Sequence, residues 1–373
     1  MKKFLVATAF LGATLATSAA LAEPPFWLFP NSEDTPPITI AVFGDWPYAQ
    51  LLLDNAALLT GSVNADPDVS LVVHVGDIHS GSMPCTSADI LPAIATANPG
   101  WNQKIYFQFQ QFAKPVVYTP GDNEWSDCHK TKQLSAGAPL KELAAVRNLF
   151  FARPGHSLGL SDKTLLSQAK FFDPAHPGDA AYVENVMWMD GKVAFATFNM
   201  PGGSNNDTAP WSAPFADPAA QAAEVAARTG ANNRWLQSTF DVAQDNHARA
   251  VVIILQADMW DPAALVSAGG SGLDQYTSFV QELADLTVNF GEPVLLLNGD
   301  THVYFEDQPL ANPASNTGVI HHTQPVPNLT RIVVQGSTTA PSEWLRLTID
   351  TRKQQPFSWT NVAYCKDPLT SCH

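Results

Sequence analysis

Apolar residues fall into two kinds of stretch along this chain, and their alternation predicts its fold class. Ile38-Thr39-Ile40-Ala41-Val42-Phe43 is a short, β-branched run that stops at Gly44-Asp45. Val69-Ser70-Leu71-Val72-Val73-His74-Val75 repeats the pattern before Gly76-Asp77, and Pro115-Val116-Val117-Tyr118-Thr119 does so before Gly121-Asp122. Runs of this length and composition read as buried strands. Between them, residues 48–59 and 101–112 space their apolar side chains as helices do. Strands alternating with helices imply βαβ units with right-handed crossovers and parallel strands. The three Gly-Asp ends then share one edge of a sheet, where open α/β sheets bind ligands.

The second half changes character. Residues 182–189 and 193–200 flank Asp190-Gly191, a hairpin signal. Residues 219–243 are alanine-rich and predict a helix with a break near Gly230; residues 273–288 predict another. Strands are expected at 251–255, before Gln256, and at 294–297, before Asn298-Gly299-Asp300-Thr301-His302. Residues 331–334 and 345–349 read as closing antiparallel strands. With no repeat, linker or charge block, residues 23–373 are expected to form one domain.

The start of the chain adds a compartment. Met1-Lys2-Lys3, an apolar run from Phe4 to Leu15 and Ser18-Ala19-Ala20-Leu21-Ala22 resemble a cleaved secretory signal, so residues 1–22 are expected to be removed and the rest to be periplasmic or secreted. Four cysteines in an oxidising compartment favour disulfides, and positions near the strand ends and near the C-terminus favour Cys85 with Cys128 and Cys365 with Cys372. A net charge of −15 argues against nucleic acid or an anionic membrane as partner. Nothing points to a protein partner.

Five loops carry the candidate chemistry: Gly44-Asp45, Gly76-Asp77-Ile78-His79, Gly121-Asp122-Asn123-Glu124, Gln256-Ala257-Asp258 and Gly299-Asp300-Thr301-His302. A single Gly-Asp is more often a turn. Repeated after successive strands, it brings carboxylates together that repel one another unless a cation joins them. A metal in such a place acidifies water and clamps a phosphoryl group. No G-x-S-x-G elbow, P-loop or dinucleotide fingerprint competes with this reading.

The ordered series from Ile38 to Tyr304 resembles that of the calcineurin-like metallophosphoesterases, purple acid phosphatases included. These carry an Asp after the first strand, Gly-Asp after the second, Gly-Asn-His-(Asp/Glu) after the third, a His after a later strand and a closing Gly-His-x-His. The resemblance implies an α/β fold, a four-layer α/β/β/α sandwich of mixed sheets. It implies hydrolysis of a phosphomonoester or phosphodiester of some small phosphorylated substrate by metal-bound hydroxide. Asp77 would bridge two metals, Asp45 and His302 would hold the first, and Asp122, Gln256 and Asp300 the second.

Several positions depart from the family pattern. Asp45-Trp46-Pro47 lacks the His that many members place two residues after the Asp. Asp122 and Asn123 stand where Asn and His are expected, Gln256 replaces the ligand His, and Asp300 the first His of the closing pair. Oxygen ligands favour Mg, Mn or Ca, with Fe or Zn still open, at one or two divalent ions. Asn123 can donate a hydrogen bond but supplies no proton at neutral pH, which makes His79, two residues after Asp77, the candidate proton donor. A second reading stays open: a member of this fold that binds metal or ligand without turnover. His74 has the opposite strand parity to Asp77 and is expected in the core, whereas His321-His322 lie in a loop that would have to fold back to reach the site. Trp46, Trp125, Trp211 and Trp260 are expected to pack, and Glu124 either orients a neighbour or lies on the rim.

Overall fold

The computed structural model describes residues 36–85, 100–135, 137–206, 210–267 and 272–367. The expected signal segment and Cys372 lie outside them. No helix among the described residues is long and apolar enough to cross a membrane.

Two mixed sheets form the frame. The first holds β1 (Ile38–Phe43), β2 (Val69–His74), β3 (Val116–Tyr118), β11 (Ser342–Ile349) and β12 (Phe357–Cys365), in the order β12-β11-β1-β2-β3. β1, β2 and β3 run parallel as the crossover pattern requires, and β11 joins β1 antiparallel. The second holds β4 (Leu166–Ser167), β5 (Val186–Asp190), β6 (Val193–Thr197), β7 (Ala250–Ile254), β8 (Val294–Asn298), β9 (Phe305–Asp307) and β10 (Leu329–Val333). Their order is β4-β5-β6-β7-β8-β10-β9. β5 and β6 make the predicted hairpin, closing tightly with Gly191 at φ 55°, and β6, β7 and β8 are parallel.

Three apolar clusters show how the layers stack. Between the sheets, Ile40, Val42, Leu71 and Val73 of the first meet Val193, Phe195, Val252, Ile254, Leu295 and Leu297 of the second. The other face of the first sheet packs Ala41, Phe43 and Val72 against Leu59, Ile105, Phe109, Val146 and Leu149 of its helices. The other face of the second packs Ala196, Val251, Ile253 and Leu296 against Trp235, Phe240, Val280 and Leu283. Both sheets are therefore buried on both faces, which is why their central strands read as continuous apolar runs rather than alternating ones.

Two expectations are corrected. Helix Pro218–Asp245 runs unbroken through Gly230: Asp217 caps its start by accepting from the Ala220 amide at 3.0 Å, and tertiary packing of its apolar face outweighs the roughly 1 kcal/mol cost of one glycine. β10 is antiparallel only to the short edge strand β9; it pairs parallel with β8, because the connection from Asn298 to Leu329 is long enough to cross back.

Candidate metal centre

The carboxyl ends of β1, β2, β7 and β8 converge, and those of β1, β2 and β8 deliver their side chains through tight backbone turns. Asp45, Asp77, Asp300 and His302 have φ of 47°, 61°, 78° and 65°. Left-handed backbone is uncommon outside glycine, and Asp and Asn tolerate it best. Four such residues lie in one place, where the surrounding contacts have to hold them in a backbone conformation that costs free energy. The turns are tied to one another: the Asp45 amide donates to Gly76 O at 2.9 Å, the Trp46 amide to Asp77 O at 3.0 Å and the Gly336 amide to His302 O at 3.0 Å. Glycine makes the close approach possible at one further point, since a Cβ on Gly121 would lie 2.0 Å from Asp77 Oδ1.

Asp45, Asp77 and His302 each offer a ligand atom within 4.8 Å of the others. His302 Nε2 lies 3.3 Å from Asp45 Oδ1; the two acids are buried, and His302, one third exposed, forms the opening to solvent. Tyr48 completes this group, and sequence reasoning missed it. Its hydroxyl donates to Asp77 Oδ2 at 2.8 Å and approaches Asp45 Oδ1 at 3.2 Å, while its ring packs edge-on against His302. The only signal was its position three residues after Asp45.

The expected second set gathers beside Asp77 but faces differently. Gln256 turns its amide nitrogen to Asp77 Oδ2 at 3.3 Å and Asp122 Oδ1 at 3.1 Å, and its carbonyl accepts from the Gly202 amide at 2.5 Å. With donors and acceptors fixed on both sides, the carboxamide presents N–H, not oxygen, to the acids. Asp300 directs its amide at the Asp45 carboxylate, at 3.2 and 3.3 Å, and its own carboxylate accepts from the Asp258 amide at 3.0 Å. Asn123 donates from Nδ2 to Asp77 Oδ2 at 2.8 Å and to Tyr48 Oη at 3.0 Å.

His79 contributes its backbone, not its ring. Its carbonyl accepts from Asn123 Nδ2 at 3.1 Å, whereas Nδ1 bonds Ser80 O at 3.1 Å and Nε2 lies 4.0 Å from Cys85 Sγ. Its expected role as proton donor is therefore not supported, because the ring turns from the carboxylates and burial lowers its pKa. His321 is likewise a core residue, bonded to Thr277 Oγ1 and Met259 O rather than folded over the site, and burial pulls it down to about 4. His74 behaves as expected: it accepts from the Gly76 amide, bonds Trp46 O, and is pulled down by burial to about 4. Glu124 is no rim residue. Almost fully buried, it accepts from the Ile78 and Gly121 amides and the Tyr118 hydroxyl, so it braces the second and third loops. The four tryptophans are all buried. The Cys85–Cys128 disulfide, Cα–Cα 5.6 Å, ties these same two loops together.

Charge is crowded here. Burial, then Asp122, Glu124, Asp45 and Asp300, hold the Asp77 carboxyl well above the ordinary range. Burial and then Asp122 do the same to Asp300, and burial with Asp127 pushes Asp122 up to about 7 against the pull of Lys130 and Lys132. For His302 burial opposes the charged form, but the hydrogen bond and charge of Asp45 prevail and raise its pKa. Acids held this way oppose their own ionisation, and a divalent cation would relieve them. Two carboxylates and an imidazole fit such an ion.

No family model matches the chain, and no curated protein matches it. Among solved structures, a chain described as "GAP50 the anchor in the inner membrane complex of Plasmodium" is 12% identical with a TM-score of 0.41, over 89% of this chain and 90% of that one. At that level of likeness neither fold nor function transfers.

Proposed function

We propose that the chain is a metal-dependent phosphoesterase with the four-layer α/β/β/α sandwich of the calcineurin-like metallophosphoesterases, and that Asp45, Asp77 and His302 hold one divalent ion. The observation behind this reading is the convergence of those three side chains from separate strand ends, in left-handed backbone, at a solvent opening. Such an ion, when bound, supplies positive charge against a phosphoryl group and acidifies water. Asn123 and Tyr48 hold Asp77 in place and line the same opening. Neither suits proton donation to a leaving group: Asn123 has no acidic proton, and burial followed by Asp77 and Asp45 keeps the Tyr48 hydroxyl protonated well past its usual range. Esters with good leaving groups, such as aryl phosphates, are thus the expected substrates.

One observation favours a second reading, metal binding without turnover. The Gln256 amide nitrogen bonds both Asp77 and Asp122, two of the side chains that would hold a second ion. Elemental analysis of protein purified without a chelating resin, paired with aryl phosphate hydrolysis across Mg, Mn, Ca, Fe and Zn, separates the readings. Ion-dependent hydrolysis lost in Asp77→Ala and His302→Ala supports the enzyme. A bound ion without hydrolysis supports the binding protein, and neither ion nor hydrolysis removes both.

A further inference from the structure

We propose that Lys130 and Lys132 form the anion-recognition side of this centre, and that its ligand is a terminal phosphate bearing two negative charges rather than a diester. The inference rests on the metal centre described above. Positive charge is scarce in this chain, with 20 Lys and Arg against 35 Asp and Glu. Yet two ammonium groups meet on one carboxylate beside the acids: Lys130 Nζ lies 2.5 Å from Asp127 Oδ1 and Lys132 Nζ 3.0 Å from Asp127 Oδ2. The Asp127 side chain is 3% exposed, those of the lysines 26% and 51%. One buried charge neutralises one ammonium, so the trio keeps a net positive charge at its wet end.

That end borders the site. A Cβ on Gly81 would lie 2.9 Å from Lys132 Nζ and 2.6 Å from Asn123 Oδ1, so the ammonium sits on the far side of the carboxamide whose nitrogen bonds Asp77. A Cβ on Gly203 would lie 3.5 Å from Lys130 Nζ and 3.6 Å from Asp122 Oδ2, which places Lys130 beside that acid. Both glycines thus let the chain pass close beside the ammonium groups, and the lysine side chains keep 26% and 51% of their surface open to solvent. A phosphate approaching buried carboxylates is repelled unless cations face it. An ion at Asp45, Asp77 and His302 offers one such contact, and the lysines offer two more, each with three donors on a flexible stem. Three cationic contacts match the three non-bridging oxygens of a monoester dianion better than the two of a diester.

The test is titration of the full, Mn²⁺-loaded chain with inorganic phosphate and with dimethyl phosphate, in wild type, K130Q, K132Q, K132R and the double Gln variant. Phosphate binding at least tenfold weaker in K132Q, at equal bound Mn²⁺ and restored in K132R, is the expected result, with dimethyl phosphate weak throughout. Equal phosphate affinity in wild type and the double variant overturns the proposal and leaves the lysines as partners of Asp127 alone. So does a wild type that binds dimethyl phosphate as well as phosphate, a readout that needs no variant to fold. Lysine-dependent phosphate binding without ester hydrolysis keeps this inference and removes turnover; hydrolysis with unchanged KM in the double variant does the reverse.

Discussion

Asp122→Asn is expected to stabilise the metal-free protein while weakening what the site does. Burial and Asp127 push the Asp122 carboxyl from 3.8 up to about 7, so in the absence of a cation the folded state opposes its ionisation. The sign follows from proton counts: between those values the folded chain binds more protons than the unfolded one, and stability falls as pH rises. A gap of about three pH units corresponds to roughly 4 kcal/mol, and sharing with coupled neighbours brings the expected gain in Asp122→Asn to about 2–4 kcal/mol. Asn at 122 still accepts from Gln256 through its carbonyl, so no packing is lost. His74 and His321, pulled down to about 4, act oppositely: the unfolded chain takes up their protons first, and stability rises with pH up to their usual value of 6.5. These terms are common to both chains and cancel in the difference. Urea denaturation in chelator from pH 4.5 to 8 should therefore show a variant lead of at most about 1 kcal/mol at the acid end that widens to its full size at pH 8, with Mn²⁺ narrowing the gap. A variant no more stable than wild type at pH 8, or a constant difference across the range, would refute the charge-crowding argument.

Four further outcomes are expected. Opening Cys85–Cys128 by double Ser substitution releases a 43-residue loop and should lower stability by up to about 4 kcal/mol in guanidinium denaturation; insensitivity to reductant in wild type would contradict it. Gly121→Ala drives a methyl into Asp77 Oδ1 and should reduce Mn²⁺ affinity at least tenfold by calorimetry. Gly61→Ala, at an exposed helix position with open space around it, should stabilise by about 0.5–1 kcal/mol and leave Mn²⁺ binding unchanged. Gln256→His should raise bound metal from one ion toward two by elemental analysis, because imidazole replaces an N–H donor with a ligand.

Much of this arrangement is legible in the amino-acid sequence. β1 matched residue for residue, and β2, β3, β7 and β8 matched to within one or two, because strands buried on both faces leave an uninterrupted apolar record. β12 and β9 went unseen: Phe357–Cys365 alternates polar with apolar at the edge of a sheet, and Phe305–Asp307 is too short to show a period. Within the site, the order of residue types along the sequence pointed to Asp45, Asp77 and His302, whose side chains the fold brings within 4.8 Å of one another. Side-chain direction did not show. Whether Gln256 offers oxygen or nitrogen depends on the Gly202 amide, and whether His79 faces in or out depends on the disulfide beside it. Both are contacts between distant segments. Tyr48 was hidden for the same reason.

The seam between the two sheets has a mechanical consequence. Asp45 and Asp77 leave one sheet and His302 leaves the other, so an ion held by all three would clasp the two sheets together. Its binding would add to cohesion by mass action, about 2.7 kcal/mol at a hundredfold excess over Kd. Conversely, anything that slides one sheet against the other misaligns the jaws. A substitution deep in the seam, at the stacked Trp188 and Phe195 rings, can thus change metal affinity without touching a ligand.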